Sequence, residues 1–218
     1  EGLEQGAVGF STGSSYYPGP WTSTEELIDL CQVVRDAGGV YMSEPRMANG
    51  ELAFGGGGVP EALEIARRSG VKLHFAHFRT DAKTAGKTDE HMRLIDEAKA
   101  DGADVTLDIY PYASGSSIPV SFLPSEAQEG GPDAIVRRLK DPAERRKIVA
   151  HLESEADRTR SLDEVAFSYL SKNSQLEGLT LTQVAEDRGV SPGEALCDLL
   201  LEEDLAVGYT MPPPVSHG

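Results

Sequence analysis

Three short apolar runs of the sequence end in side chains that can bind a metal or move a proton. "VYMSE" (40–44) finishes in Glu44, "VKLHFAH" (71–77) in His77, and "ADVTLDIY" (103–110) carries Asp108 and Tyr110. Imidazole and carboxylate together suit zinc, which polarises a carbonyl and lowers the pKa of bound water to about 7. Side chains alternate along a strand, so Val71, Leu73, Phe75 and His77 are expected to share a face. By the same rule Val40, Met42 and Glu44 share one, and Asp104, Thr106, Asp108 and Tyr110 share one. On three neighbouring parallel strands these ends meet at one carboxyl-terminal rim, where parallel α/β folds build their sites. A lone strand-end histidine is more often structural, and an aspartate there often caps or pairs, so composition and spacing leave both readings standing. His74 is expected to face away from His77. His91 and His151 fall in helical patterns, and His217 lies near the end of the sequence.

Other motifs carry less. "TAGKT" (84–88) resembles the tail of a phosphate-binding loop, but Asp81 stands where that motif needs glycine and would repel phosphate. "GFSTG" (9–13) matches G-x-S-x-G, the serine-hydrolase elbow. That elbow requires a helix directly after the serine, and "SSYYPGPW" intervenes. "GGGG" (55–58) before Pro60 could cradle an anion at a helix start, although a plain loop explains it as well.

The elements that must position these residues alternate strand and helix. "GAVGFSTG" (6–13) reads as strand and "TSTEELIDLCQVVRDAGG" (22–39) as helix, with Ser23 and Glu26 at capping-box spacing. After "VYMSE" comes a helix over 59–70 with Pro60 in its first turn. After "VKLHFAH" comes a helix over 88–102, and then "ADVTLDIY". Such βα units predict a parallel sheet, and their Gly-terminated helices favour a barrel over an open sheet. Beyond Tyr110 the rhythm breaks. Helix starts return at "DPAE" (141–144), "SLDE" (161–164), "TLTQ" (180–183) and "SPGE" (191–194). Residues 111–135 and 161–204 are expected to form an insertion or cap.

The 218 residues, 39% hydrophobic and 26% charged, suffice for a buried core. A net charge of −16 disfavours nucleic acid and anionic membrane as partners. Two cysteines, Cys31 and Cys197, sit in helical patterns and read as buried free thiols of a reducing, cytoplasmic compartment. No apolar stretch is long enough to span a bilayer. The opening "EGLEQGAVGF" and closing "MPPPVSHG" both suggest a piece of a longer protein.

Four blocks, "EQGAVGFSTGSSYYPG", "AGGVYMSEPR", "SGVKLHFAHFRT" and "LIDEAKADGADVTLDIYPYASGSS", resemble the N-acyl-D-amino-acid deacylases (D-aminoacylases) of the amidohydrolase superfamily. They follow the family's order and cover most of residues 1 to 117. "GxSTGxxYxPG" and "DxYPY" are its more specific signatures, and residues 118 to 218 match more weakly. The resemblance implies an α/β fold: a partial (β/α)8 TIM-type barrel, about strands four to seven, with a helical insertion. Residues 1–117 would be the central βα units, and 118–218 an insertion or cap leading toward a final barrel strand absent here.

The function implied is metal-dependent hydrolysis of the amide bond of N-acyl-D-amino acids, with zinc as cofactor and a small N-acylated amino acid as partner. By resemblance His77 falls on a zinc-ligand histidine. Arg79 stands where the family usually has a lysine contacting the substrate carboxylate, and arginine can make that contact bidentately. Tyr110 and Ser116 fall on residues of the substrate pocket. Glu44, in "SEPR", replaces the histidine of a "THxR"-like block, and a carboxylate there can still bind zinc while changing metal preference. The His-x-His of the family's first strand, the bridging cysteine of its second and the catalytic aspartate of its eighth have no counterpart in the chain. Two rivals stay open: another cyclic-amide amidohydrolase of the hydantoinase or dihydroorotase kind, and a non-catalytic relative that binds a small carboxylate. The raw edges of an interrupted barrel predict a homo-oligomer or low stability.

Overall fold

The computed structural model describes residues 1–14, 16–46, 53–79, 86–112, 114–154, 162 and 165–211. Two compact units emerge, Glu1–Tyr110 and Pro111–Gly218. Ser116, read from the sequence as part of the barrel portion, therefore belongs to the second unit.

In the first unit the strands are β1 (Gly9–Gly13), β2 (Val40–Glu44), β3 (Lys72–Phe75) and β4 (Val105–Leu107). They form one parallel sheet in the order β1-β2-β3-β4, each strand beside its successor in the chain. Helices α1 (Thr24–Asp36), α2 (Gly58–Ser69) and α3 (Thr88–Ala100) connect them. Helix α1 starts at Ser23, whose side chain accepts from the Glu26 N–H at 3.1 Å. Helix α2 ends where Gly70 takes a left-handed conformation and its N–H returns to the Ala66 carbonyl.

The two faces of this sheet differ. Tyr41, Leu73, Phe75 and Val105 are buried in a core with Leu27, Ile28, Cys31, Ala62, Ile65 and Ile95 from the helices. The register Met42↔His74↔Thr106 lines the opposite face, where Val40 and Met42 are exposed. Strand β1 closes against β2 through Gly9: a Cβ at that position would stand 2.2 Å from the Val40 carbonyl oxygen.

The second unit adds a sheet to the helices expected from the sequence. Strands β5 (Gly115–Ser117), β6 (Ala166–Leu170) and β7 (Val207–Met211) form an antiparallel sheet in the order β5-β7-β6. Strand β6 was missed because its pairing shifts between Phe167 and Tyr169, so its buried residues are Phe167 and Leu170, three apart. That spacing mimics one face of a helix rather than the period of two.

Around this sheet lie α4 (Ser125–Gln128), α5 (Pro132–Lys140), α6 (Pro142–Glu153), α7 (Leu181–Arg188) and α8 (Pro192–Glu202). Asp141 caps α6, and Thr180–Gln183 and Ser191–Glu194 close reciprocal capping boxes on α7 and α8, as their sequences predict. Most of "SLDE" (161–164), part of "TAGKT", and His217 lie outside the described residues. Leu139, Leu181, Leu196, Leu199, Leu200 and Phe167 fill this unit's core. Among the described residues no helix is long and apolar enough to cross a membrane.

Candidate metal and substrate site

The site lies where β2, β3 and β4 end. Glu44 is the last residue of β2 and pairs in register with Gly13 at the end of β1. Strand β3 stops at Phe75, two residues earlier than strict alternation requires, and Ala76–His77 make a turn. His77 takes φ +37°, a left-handed conformation unusual for a residue with a Cβ, at a cost of about 1–3 kcal/mol. The turn, rather than the pleat, brings its imidazole to the rim: Nε2 stands 3.7 Å from Glu44 Oε2, both side chains partly exposed.

Asp108 bonds to that turn. Its carboxylate Oδ1 accepts from the His77 N–H, and Oδ2 lies 3.2 Å from His74 Nε2. Hydrogen bonds from the His74 ring and the His77 backbone hold the Asp108 carboxyl below the ordinary aspartate range. Nδ1 of the same ring lies 2.8 Å from the Thr106 hydroxyl. His74, set aside in the sequence reading because it points away from the β3 face of Phe75, thus shares the face of Glu44 and touches Asp108. The signal was present: alternation counted from Glu44 and Asp108 through the register Met42↔His74↔Thr106 selects His74.

A tyrosine joins them. The Tyr16 hydroxyl donates to Glu44 Oε2 at 3.5 Å, and burial together with the Glu44 charge raises the phenol above its ordinary pKa. Its ring crosses the end of β1 over Gly13, where a Cβ would stand 2.2 Å from the hydroxyl oxygen. Arg79 and Tyr110 are adjacent: Arg79 Nη1 donates to the Tyr110 hydroxyl, and the guanidinium carbon sits 5.5 Å from the ring centroid. The Tyr110 ring lies 6.2 Å from that of His77. Ser116 stands exposed in β5 of the second unit, paired with Thr210. Ser11 of "GFSTG" is inside strand β1, which Thr12 and Gly13 continue, so the strand-to-helix elbow geometry of a serine hydrolase is absent there.

Sequence reasoning also passed over Arg46, two residues beyond Glu44. Its guanidinium is buried and donates to both oxygens of the Glu61 carboxylate, at 3.0 and 3.2 Å. Further bonds run to the carbonyls of Pro20 at 3.0 Å and Thr22 at 2.8 Å. Thr24 donates to Glu61 at 2.8 Å from the start of α1. The segment bearing Tyr16, the end of β2 and helix α2 are thereby tied to one cation.

Glu44 and His77 together offer two candidate metal donors. A separation of 3.7 Å is close to that of two neighbouring donors about a tetrahedral ion bound at about 2.0–2.2 Å. A catalytic zinc takes about three protein ligands, and among the described residues no group of three or more His, Cys, Asp or Glu could hold a metal. Donor type and spacing fit; donor number requires residues beyond this pair.

No protein-family model matches the chain. It is 35% identical over 130 residues to an N-acyl-D-glutamate deacylase of Alcaligenes xylosoxydans xylosoxydans, covering 59% of this chain and 25% of that protein. The D-aminoacylase of the same organism is 32% identical over 119 residues, covering 54% of this chain and 24% of the relative. The chain thus spans about a quarter of the length of these curated relatives.

Among solved structures it superposes on an N-acyl-D-glutamate deacylase from Bordetella bronchiseptica, complexed with zinc and a phosphonate mimic of the tetrahedral intermediate. The TM-score is 0.66 at 25% identity, over 96% of this chain and 35% of that one. A D-aminoacylase described as defining a novel subset of amidohydrolases gives 0.61 at 26%, with the same coverage.

Proposed function

We propose, on the premise that this chain is a relative of the N-acyl-D-amino-acid deacylases, that it forms the central strands, about four to seven, of a (β/α)8 barrel. The activity of that barrel would be metal-dependent hydrolysis of the amide bond of N-acyl-D-amino acids. The observation that carries the barrel reading is the one-sided sheet. Its strands run in chain order without a switch point, all three connecting helices contribute to the core on one face, and the other face bears Val40, Met42, His74 and Thr106. A doubly wound sheet carries helices on both faces and reverses its strand order, whereas a barrel does neither.

His77 and Glu44 would hold the zinc, with further ligands and the general base from residues outside this chain. Bound zinc would polarise the scissile carbonyl and lower the pKa of its water. Tyr16 donates to Glu44 Oε2, the same carboxylate oxygen that faces His77. Arg79 and Tyr110 would take the substrate carboxylate. The hydrogen bond and the cation–π contact between them restrict the guanidinium before substrate arrives, lowering the entropy lost on binding. Edge strands β1 and β4 would make a homo-oligomer the natural form of the chain taken alone.

Zinc content after dialysis, measured by elemental analysis on the chain and on its His77→Ala and Glu44→Ala variants, tests the site. Stoichiometric zinc in the parent and loss in both variants is the expected result. A parent that binds no zinc overturns the metal reading for this chain. Binding of N-acyl-D-amino acids, compared with hydantoins and dihydropyrimidines by calorimetry, separates the deacylase reading from a cyclic-amide one.

A further inference from the structure

We propose that Asp108 is the positioning residue that turns His77 toward Glu44, with His74 steadying Asp108; this rests on the reading of His77 and Glu44 as metal ligands. All four polar positions of Asp108 act on residues 74–78. Its N–H donates to the Phe75 carbonyl at 3.1 Å, and its carbonyl accepts from Phe78 at 2.8 Å. Its Oδ1 accepts from the His77 N–H, and its Oδ2 pairs with His74.

The backbone bonds continue the β3–β4 ladder past the ends of both strands. The side-chain bond does something different. It satisfies the N–H of the one residue in this turn that has a positive φ and a Cβ, and so favours the conformation from which the imidazole reaches Glu44. Occupying the second oxygen with His74, itself anchored to Thr106, stops the carboxylate from rotating away. Asp108 is half exposed, at 53%, and is no part of the buried core, so its removal acts on the turn rather than on the sheet. Metal ligands are ordinarily oriented by such partners, whose loss weakens metal affinity about 10–100-fold.

The test compares Asp108→Ala, Asp108→Asn and His74→Leu in the full chain. One readout is hydrogen exchange of the His77 amide by NMR; the other is zinc affinity by competition with a chromophoric chelator. Asp108→Ala is expected to speed His77 exchange and weaken zinc binding about 10–100-fold. Asp108→Asn, whose amide oxygen can still accept the His77 N–H, should restore most of both. His74→Leu should give a smaller change in the same direction. Unchanged His77 exchange in Asp108→Ala overturns the proposal, as does equal damage from Asn and Ala. Should Asp108→Ala fail to fold, His74→Leu decides: no change in His77 exchange overturns it. Absence of zinc binding in the parent would sink the metal reading alone, since His77 exchange still reports on the turn.

Discussion

Arg46 ties together, through its hydrogen bonds, three segments that border the candidate site. Its side chain and that of Glu61 are 2% and 4% exposed, and the guanidinium spends its donors on Glu61 and on carbonyls between Pro20 and Thr22. Replacing it by methionine leaves the Glu61 carboxylate buried without its cation. That is expected to destabilise the chain by about 3–5 kcal/mol. Denaturant unfolding of Arg46→Met beside Arg46→Lys measures this. Lysine keeps the charge but cannot span a carboxylate and two carbonyls at once, so it should recover only part of the loss.

At the scale of elements, the end of α8 is held by a carboxylate. Glu203, 1% exposed, accepts from the N–H groups of Lys172 and Asn173, each at 2.8 Å, from the Ser171 hydroxyl and from the Asn173 amide. Burial pushes its pKa upward, but these donors together outweigh burial and hold it below the ordinary glutamate value. The folded state therefore binds its proton less readily than the unfolded chain. The resulting stability is complete above the unfolded value of about 4.3 and is lost as pH falls below it through the lowered folded value. Melting temperature followed from pH 7 downward should fall through this acid window. Glu203→Gln should start lower at pH 7 and lose less on acidification; an unaltered pH slope would refute this account. The helix starts of this unit were readable because capping is local: Ser191 and Glu194 need only a spacing of three.

For the whole molecule, each unit has its own core and one buried cysteine in it, Cys31 in the first and Cys197 in the second. Burial pushes the Cys31 thiol up to about 12 and the Cys197 thiol up to about 11. Neither forms appreciable thiolate near neutrality. A thiol reagent at pH 7.5 is expected to label neither in the folded chain and both after denaturation. Prompt labelling of one alone would mark its unit as open.

The sequence by itself determined the alternation of strands and helices in the first unit, the caps of α1, α6, α7 and α8, and the meeting of Glu44, His77, Asp108 and Tyr110 at one rim. Each follows from local periodicity, or from βα connections that force neighbouring strands to run parallel. Tertiary structure alone decided how those residues face one another. Alternation along β3 assigns His77 to the buried side and His74 away from the site. The strand instead ends at Phe75, and Asp108, thirty-one positions beyond His77, accepts from the N–H of that left-handed residue. The same holds for β6, whose irregular pairing with β7 disguises its period. Nor does local pattern reveal Arg46, whose partners Pro20, Thr22 and Glu61 come from separate segments. Hydrogen bonds between distant segments depend on the packing that brings them together, and no window of neighbouring residues encodes that packing.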